Sequence, residues 1–98
     1  MSYLDELAAQ IKHQVRADVL PQGDSASLFR LYALLLLAKG QAVTAADVHN
    51  AWAAWMQESN PDHPSIRPFG ELDAETQAAD APFVAAIKAV AGRVPAGS

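Results

Sequence analysis

Apolar residues recur along this chain at helical intervals, and one run of them is apolar on every side. That run is residues 28–38, Leu28-Phe29-Arg30-Leu31-Tyr32-Ala33-Leu34-Leu35-Leu36-Leu37-Ala38, with Arg30 as its only charge. A helix apolar all round is normally enclosed by neighbours. The run is too short to span a bilayer, which takes about 20 apolar residues. It therefore predicts the central helix of a small helical domain. Asp24, Ser25 and Ser27 supply its N-terminal cap, and Gly40 follows Lys39 as the left-handed residue after the last turn.

Three other runs carry one stripe each. Leu4, Leu7, Ile11, Val15 and Val19 are spaced by three and four and predict an amphipathic helix over 3–19, capped by Ser2 and ended by Pro21 and Gly23. Thr44 opens a third helix in a capping-box pattern with Asp47. Its expected buried stripe is Val48, Ala51, Trp52, Trp55 and Met56, flanked by His49, Asn50, Ala53 and Gln57. Phe83, Ile87, Val90 and Val94 mark a last helix, capped by Asp80 and carrying Pro82 in its first turn, where proline is tolerated. Before it, Asp73 caps a short helical turn reaching Ala79, and after it residues 95–98 are expected to fray.

The pattern breaks over residues 60–70, where Pro61, Pro64 and Pro68 forbid regular helix. Ile66 and Phe69 are too apolar to be left in water, so the segment is expected to be an ordered loop pinned to the core by Trp52 and Trp55. The expected fold class is all-α: a compact bundle of four to five helices with this proline-rich loop packed across it. Residues 1–98 read as a single domain, with a helical pair over 1–42 and a second part over 43–94.

Composition adds exclusions. Half of the 98 residues are apolar and 18% are charged, which argues against disorder. There is no Cys, so thiolate chemistry, disulfides and the usual structural zinc ligands are excluded. The start of the chain carries Asp5 and Glu6 where an export signal would be basic, which makes the cytoplasm the expected location and a membrane partner unexpected. A net charge of −4 with scattered Lys and Arg gives no footprint for a phosphate backbone, so no nucleic-acid partner is expected. Residues 34–55 do have a helix-turn-helix outline, but the second helix would offer Asp47, His49, Asn50, Gln57 and Glu58 rather than a basic face. A helix-turn-helix regulator is accordingly the third-ranked reading.

Candidate chemistry is sparse. His13, His49 and His63 sit on three different elements without metal-ligand spacing, so no metal is expected. Asp73 and Asp80 are already accounted for as caps, and no nucleophile elbow or phosphate loop occurs, so neither catalytic residues nor a cofactor are expected. Trp52 and Trp55, three apart, lie near one face and combine a large apolar body with a polar edge, as binding surfaces often do. With His49, His63, Arg67 and Phe69 they form the candidate ligand or partner site.

Three segments of the second half carry a family resemblance. Val48-His49-Asn50-Ala51-Trp52-Ala53, then His63-Pro64-Ser65-Ile66-Arg67-Pro68-Phe69-Gly70-Glu71-Leu72, then Asp80 and an apolar helix resemble the RyR domain, a module found in ryanodine receptors and alone in bacterial and phage proteins. The Gly-Trp segment usual in that family is missing, and the first two helices have no counterpart in it. The resemblance implies a non-enzymatic domain that recognises nucleotide-like ligands or protein partners. The leading expectation is a non-catalytic protein-interaction module, an accessory protein of actinobacteria or their phages acting on a host protein. The alternative is a small-ligand recognition domain. Leftover leucines on helices one and two lead us to expect a homodimer.

Overall fold

The computed structural model describes residues 2–21 and 25–93. Within them the chain forms α1 (Tyr3–Gln14), α2 (Ala26–Lys39), α3 (Ala45–Ser59), a short α4 (Ala74–Ala78) and α5 (Ala81–Ala91), with 3-10 turns at Ala17–Val19, Gly40–Ala42 and Phe69–Glu71. The all-α bundle is the architecture that the spacing of apolar residues predicts. Helix α2 is its axis: it packs against α1, α3 and α5, and α1 also meets α5.

The helix starts are built by local chemistry. Ser2 and Asp5 form a reciprocal capping box on α1, and Thr44 and Asp47 form another on α3. Each box satisfies two backbone donors that a helix start otherwise leaves open. Asp73 caps α4 by accepting from the Thr76 amide at 2.8 Å. Gly40 has the positive φ expected of it, 55°, but its ψ of −125° lies outside the left-handed helical well. That combination is open to glycine and sends the chain straight into the turn Gly40–Ala42.

Helix α1 is shorter than its stripe. It stops at Gln14, and Val15 is extended at φ −94° and ψ 135°. Val15 still reaches the core, whereas Val19 stays 38% exposed. Val15, Asp18 and Val19 are weak helix formers, and Pro21 disfavours a helical Leu20. Arg16 and Asp18 pair at 3.0 Å, a spacing of two that a helix would not bring together.

The core draws on both parts of the chain: Ile11 from α1, Leu28, Phe29, Tyr32, Ala33 and Leu36 from α2, Val43 and Val48, and Phe83, Ala86, Ile87 and Val90 from α5. Phe29, Tyr32 and Phe83 form an aromatic knot, with Phe29 edge-on to Tyr32 at a centroid distance of 5.4 Å. Helix α2 is not enclosed on every side, as its composition predicts. Leu34 is 55% exposed and Leu37 38%, so one flank of the apolar helix is open. Arg30 is also solvent-facing and pairs with Asp5 at 2.6 Å. Neighbouring helices number too few to surround a helix whose every face is apolar.

Residues 60–70 run as consecutive turns. The amide of His63 donates to the Asn60 carbonyl and that of Ile66 to the His63 carbonyl, both at 3.1 Å. These bonds use the donors that the prolines leave. Asp24 and Val94, assigned above to a cap and a core stripe, and residues 95–98 lie outside the described residues. Ser25 opens α2 without a side-chain capping bond, and Ser27 lies within the helix.

Candidate functional site

The second turn of α3 carries His49, and its placement departs from the expected one. The wheel puts His49 beside the buried stripe, yet it is 3% exposed, while Ala51, Trp52, Trp55 and Met56 are only partly covered. Helix α3 is rotated so that the imidazole, rather than a tryptophan, faces inward. A buried imidazole needs partners for its nitrogens. Nε2 lies 2.7 Å from the carbonyl oxygen of Arg67, which can only accept, so Nε2 carries the proton and donates. This bond ties the 60–70 segment to α3. Gln77 of α4 adds a second tie by donating to the Phe69 carbonyl at 2.9 Å.

Around His49 the rings assemble. Trp52 stacks on it at 5.6 Å with an interplanar angle of 25°, and Phe69 approaches at 6.1 Å. His63 meets Trp52 edge-on at 5.0 Å, and its Nδ1 accepts from the Ser65 amide at 3.0 Å. Four of the six candidate residues are therefore brought together: His49, Trp52, His63 and Phe69. Arg67 joins them through its backbone carbonyl, while as a residue it is exposed. Trp55 stands apart and packs, partly buried, against the core.

Beside this cluster is a cavity of about 420 Å³. Its walls include Val19, Pro21, Tyr32, Trp52, Pro82 and Phe83, and its polar edge is formed by His49, Ser65, Thr76 and Asp80. Tyr32, Ser65, Thr76, Asp80 and Phe83 are absent from the sequence-derived site. Tyr32 and Phe83 read as core from their spacing, and Asp80 reads as a cap. Asp80 does begin α5, but its side chain makes no capping bond. A signal for this is present: Pro82 sits at the second helical position and has no N–H, which removes one of the two amides a capping Asp uses. The carboxylate turns instead toward His49, with Oδ2 at 4.0 Å from Nδ1, beyond hydrogen-bond range.

Burial raises the pKa of Asp80 above the ordinary carboxylate value, and the nearby His49 partly opposes the rise. Burial also pushes the Tyr32 phenol up, with the Asp80 carboxylate adding to the effect. Both follow from removing charge from water inside the bundle. Among the described residues no Lys or Arg lines the cavity, and no group of three His, Cys, Asp or Glu residues stands ready to hold a metal. Among the same residues no helix is long and apolar enough to cross a membrane.

The chain matches no curated protein and no solved structure. Residues 2–92, almost its whole length, match the family described as Domain of unknown function (DUF7701), and the chain belongs to that family.

Proposed function

We propose that this chain is a non-catalytic recognition module whose cavity beside His49 and Trp52 receives a small ligand. The observation that carries the reading is the cavity itself. It is about 420 Å³, apolar on most sides and polar along one edge. Ligand pockets of roughly 300 to 1,000 Å³ with a few convergent polar groups have this make-up. The edge includes a His that is 3% exposed and an Asp drawn away from its cap. The RyR-like spacing supports the same location through His49 and Trp52, which line the cavity, with His63 and Phe69 packed on them.

The geometry of the His favours binding over catalysis. In a nucleophile–His–Asp arrangement the imidazole offers one nitrogen to the carboxylate and the other to the nucleophile. Here Nδ1 looks toward Asp80, but Nε2 is committed to the Arg67 carbonyl. No hydroxyl receives it. Ser65 and Thr76 serve as hydrogen-bonding groups on the wall.

The test is a thermal-shift screen of the full chain with small aromatic compounds, neutral, anionic and cationic, run beside Ser65→Leu, which fills part of the cavity. At least one class should raise the melting temperature of the native chain and have no effect on the variant. Shifts of equal size in both proteins would place binding elsewhere and contradict the reading.

The open flank of α2 favours a second reading, protein docking or self-association. Leu31, Leu34, Leu35 and Ala38 form an apolar groove with Ala51 of α3. An apolar helix face left in water is a common interface feature. A two-copy mass by light scattering at micromolar concentration, reduced to one copy by Leu34→Glu, is the result this reading requires. A one-copy mass of the native chain rejects self-association.

A further inference from the structure

We infer that the cavity takes an organic cation, a protonated amine on an apolar body, with its ammonium group held between the Asp80 carboxylate and Nδ1 of His49. The inference rests on reading the cavity as a ligand site, and it names the class of ligand. Because Nε2 of His49 donates to the Arg67 carbonyl, Nδ1 is the nitrogen left toward Asp80, and with a single proton on the ring it is a lone-pair acceptor. That nitrogen belongs to a side chain that is 3% exposed and lines the cavity. Opposite it, at 4.0 Å, lies Oδ2 of Asp80. The two atoms stand too far apart to bond directly, and a donor nitrogen seated to one side of the pair can reach both at ordinary hydrogen-bond distance. An ammonium group has three donors and no acceptor, so it can answer both.

The rest of the cavity agrees with this chemistry. Tyr32, Trp52 and Phe83 supply aromatic rings, which attract a cation through their negative faces. Among the described residues the walls carry no Lys or Arg to answer a phosphate or carboxylate. The carboxylate of Asp80 is the one acidic group among the described lining residues, and it is free of its cap. A bound cation offsets the cost of keeping that charge out of water.

Three probes of matched shape separate this inference from the reading beneath it: phenethylamine, phenethyl alcohol and phenylacetate, each titrated into the full chain by calorimetry at neutral pH. Phenethylamine is expected to bind most tightly. Asp80→Asn should weaken it by about tenfold or more, since a charge-assisted bond is worth roughly 1.5–3 kcal/mol. The same change should weaken phenethyl alcohol less than the amine, because its hydroxyl can donate one bond to Asp80 but carries no charge to pair with it. If the alcohol or the acid binds and the amine does not, the cavity is a ligand site but its class is wrong, as would follow if a second ring proton on His49 already answered Asp80. If none of the three binds, both the class and the site reading fail. Should Asp80→Asn not fold, the order of the three probes on the native chain decides alone.

Discussion

At the scale of single residues, His49 ties the 60–70 segment to α3. Its Nε2–H donates to the Arg67 carbonyl, the side-chain hydrogen bond that links the 60–70 segment to α3 beside the Trp52–His63 ring contact. Replacing it with Phe keeps the bulk and removes the donor. His49→Phe should lower the unfolding free energy by about 0.5–1.5 kcal/mol, the usual net worth of one hydrogen bond. The check is the urea midpoint, which should fall with an unchanged slope. Asp80 is expected to behave in the opposite sense. Its folded pKa is raised by burial, so the folded state binds this proton more readily than the unfolded state does. The stabilisation from that proton is present at low pH and is lost as pH rises through the folded pKa. Asp80→Asn should therefore equal or exceed the native chain in stability at neutral pH, and the gain should shrink as pH falls through the raised pKa. A clear loss of stability at neutral pH would mean that the carboxylate holds the structure together rather than waiting for a ligand.

At the scale of elements, α2 separates composition from burial. Its sequence looks alike on every face, yet Leu36 is 4% exposed and Leu34 55%. Leu36→Ala should cost about 2–5 kcal/mol, as for other buried leucines, and Leu34→Ala should stay within about 0.5 kcal/mol. Urea unfolding of the two variants measures the contrast; similar losses would show that the Leu34 flank is covered in solution. The capped starts make their own prediction. Thr44→Ala removes the hydroxyl that accepts from the Asp47 amide at 3.2 Å and should cost about 1 kcal/mol by the same measurement. These caps were legible in the sequence, since Ser-x-x-Asp and Thr-x-x-Asp state their own geometry. The end of α1 was not legible. Apolar spacing continues through Val19, but weak propensities and Pro21 stop the helix at Gln14. Periodicity reports which residues could share a face; it does not report where a helix runs out of neighbours.

At the scale of the whole molecule, the bundle creates the site by bringing α3, α4, α5 and residues 60–70 to one place. Of the described residues that line the cavity, only His49 and Trp52 are legible as site residues in the chain; His63 and Phe69 pack on them without lining it. Most of the lining comes from other elements. Tyr32 and Phe83 look like core residues, and they are core residues that also wall a cavity. Asp80 looks like a cap because the spacing is right, and only Pro82 two residues on hints otherwise. Which carboxylate turns inward is decided by packing that no local pattern encodes. Acid should destabilise the molecule as a whole. Asp5, Asp47 and Asp73 have lowered pKa values, owing first to bonds from Arg30, the Thr44 amide and Thr76 respectively. Their contribution is present above the ordinary carboxylate value and is lost as pH falls through the folded values. The urea midpoint of Asp80→Asn, which lacks the opposing Asp80 proton, should therefore be lower at pH near 3 than at pH near 6; an unchanged midpoint would mean that these carboxylates add nothing.

The central claim is that the His49–Asp80 edge marks a ligand cavity, and amide NMR during titration of the full chain with phenethylamine tests it most directly. The account predicts saturable shifts in the amides of Ser65, Thr76 and Asp80 and in the indole N–H of Trp52. Shifts centred on Leu34 and Leu37, or none at saturating amine, would contradict it.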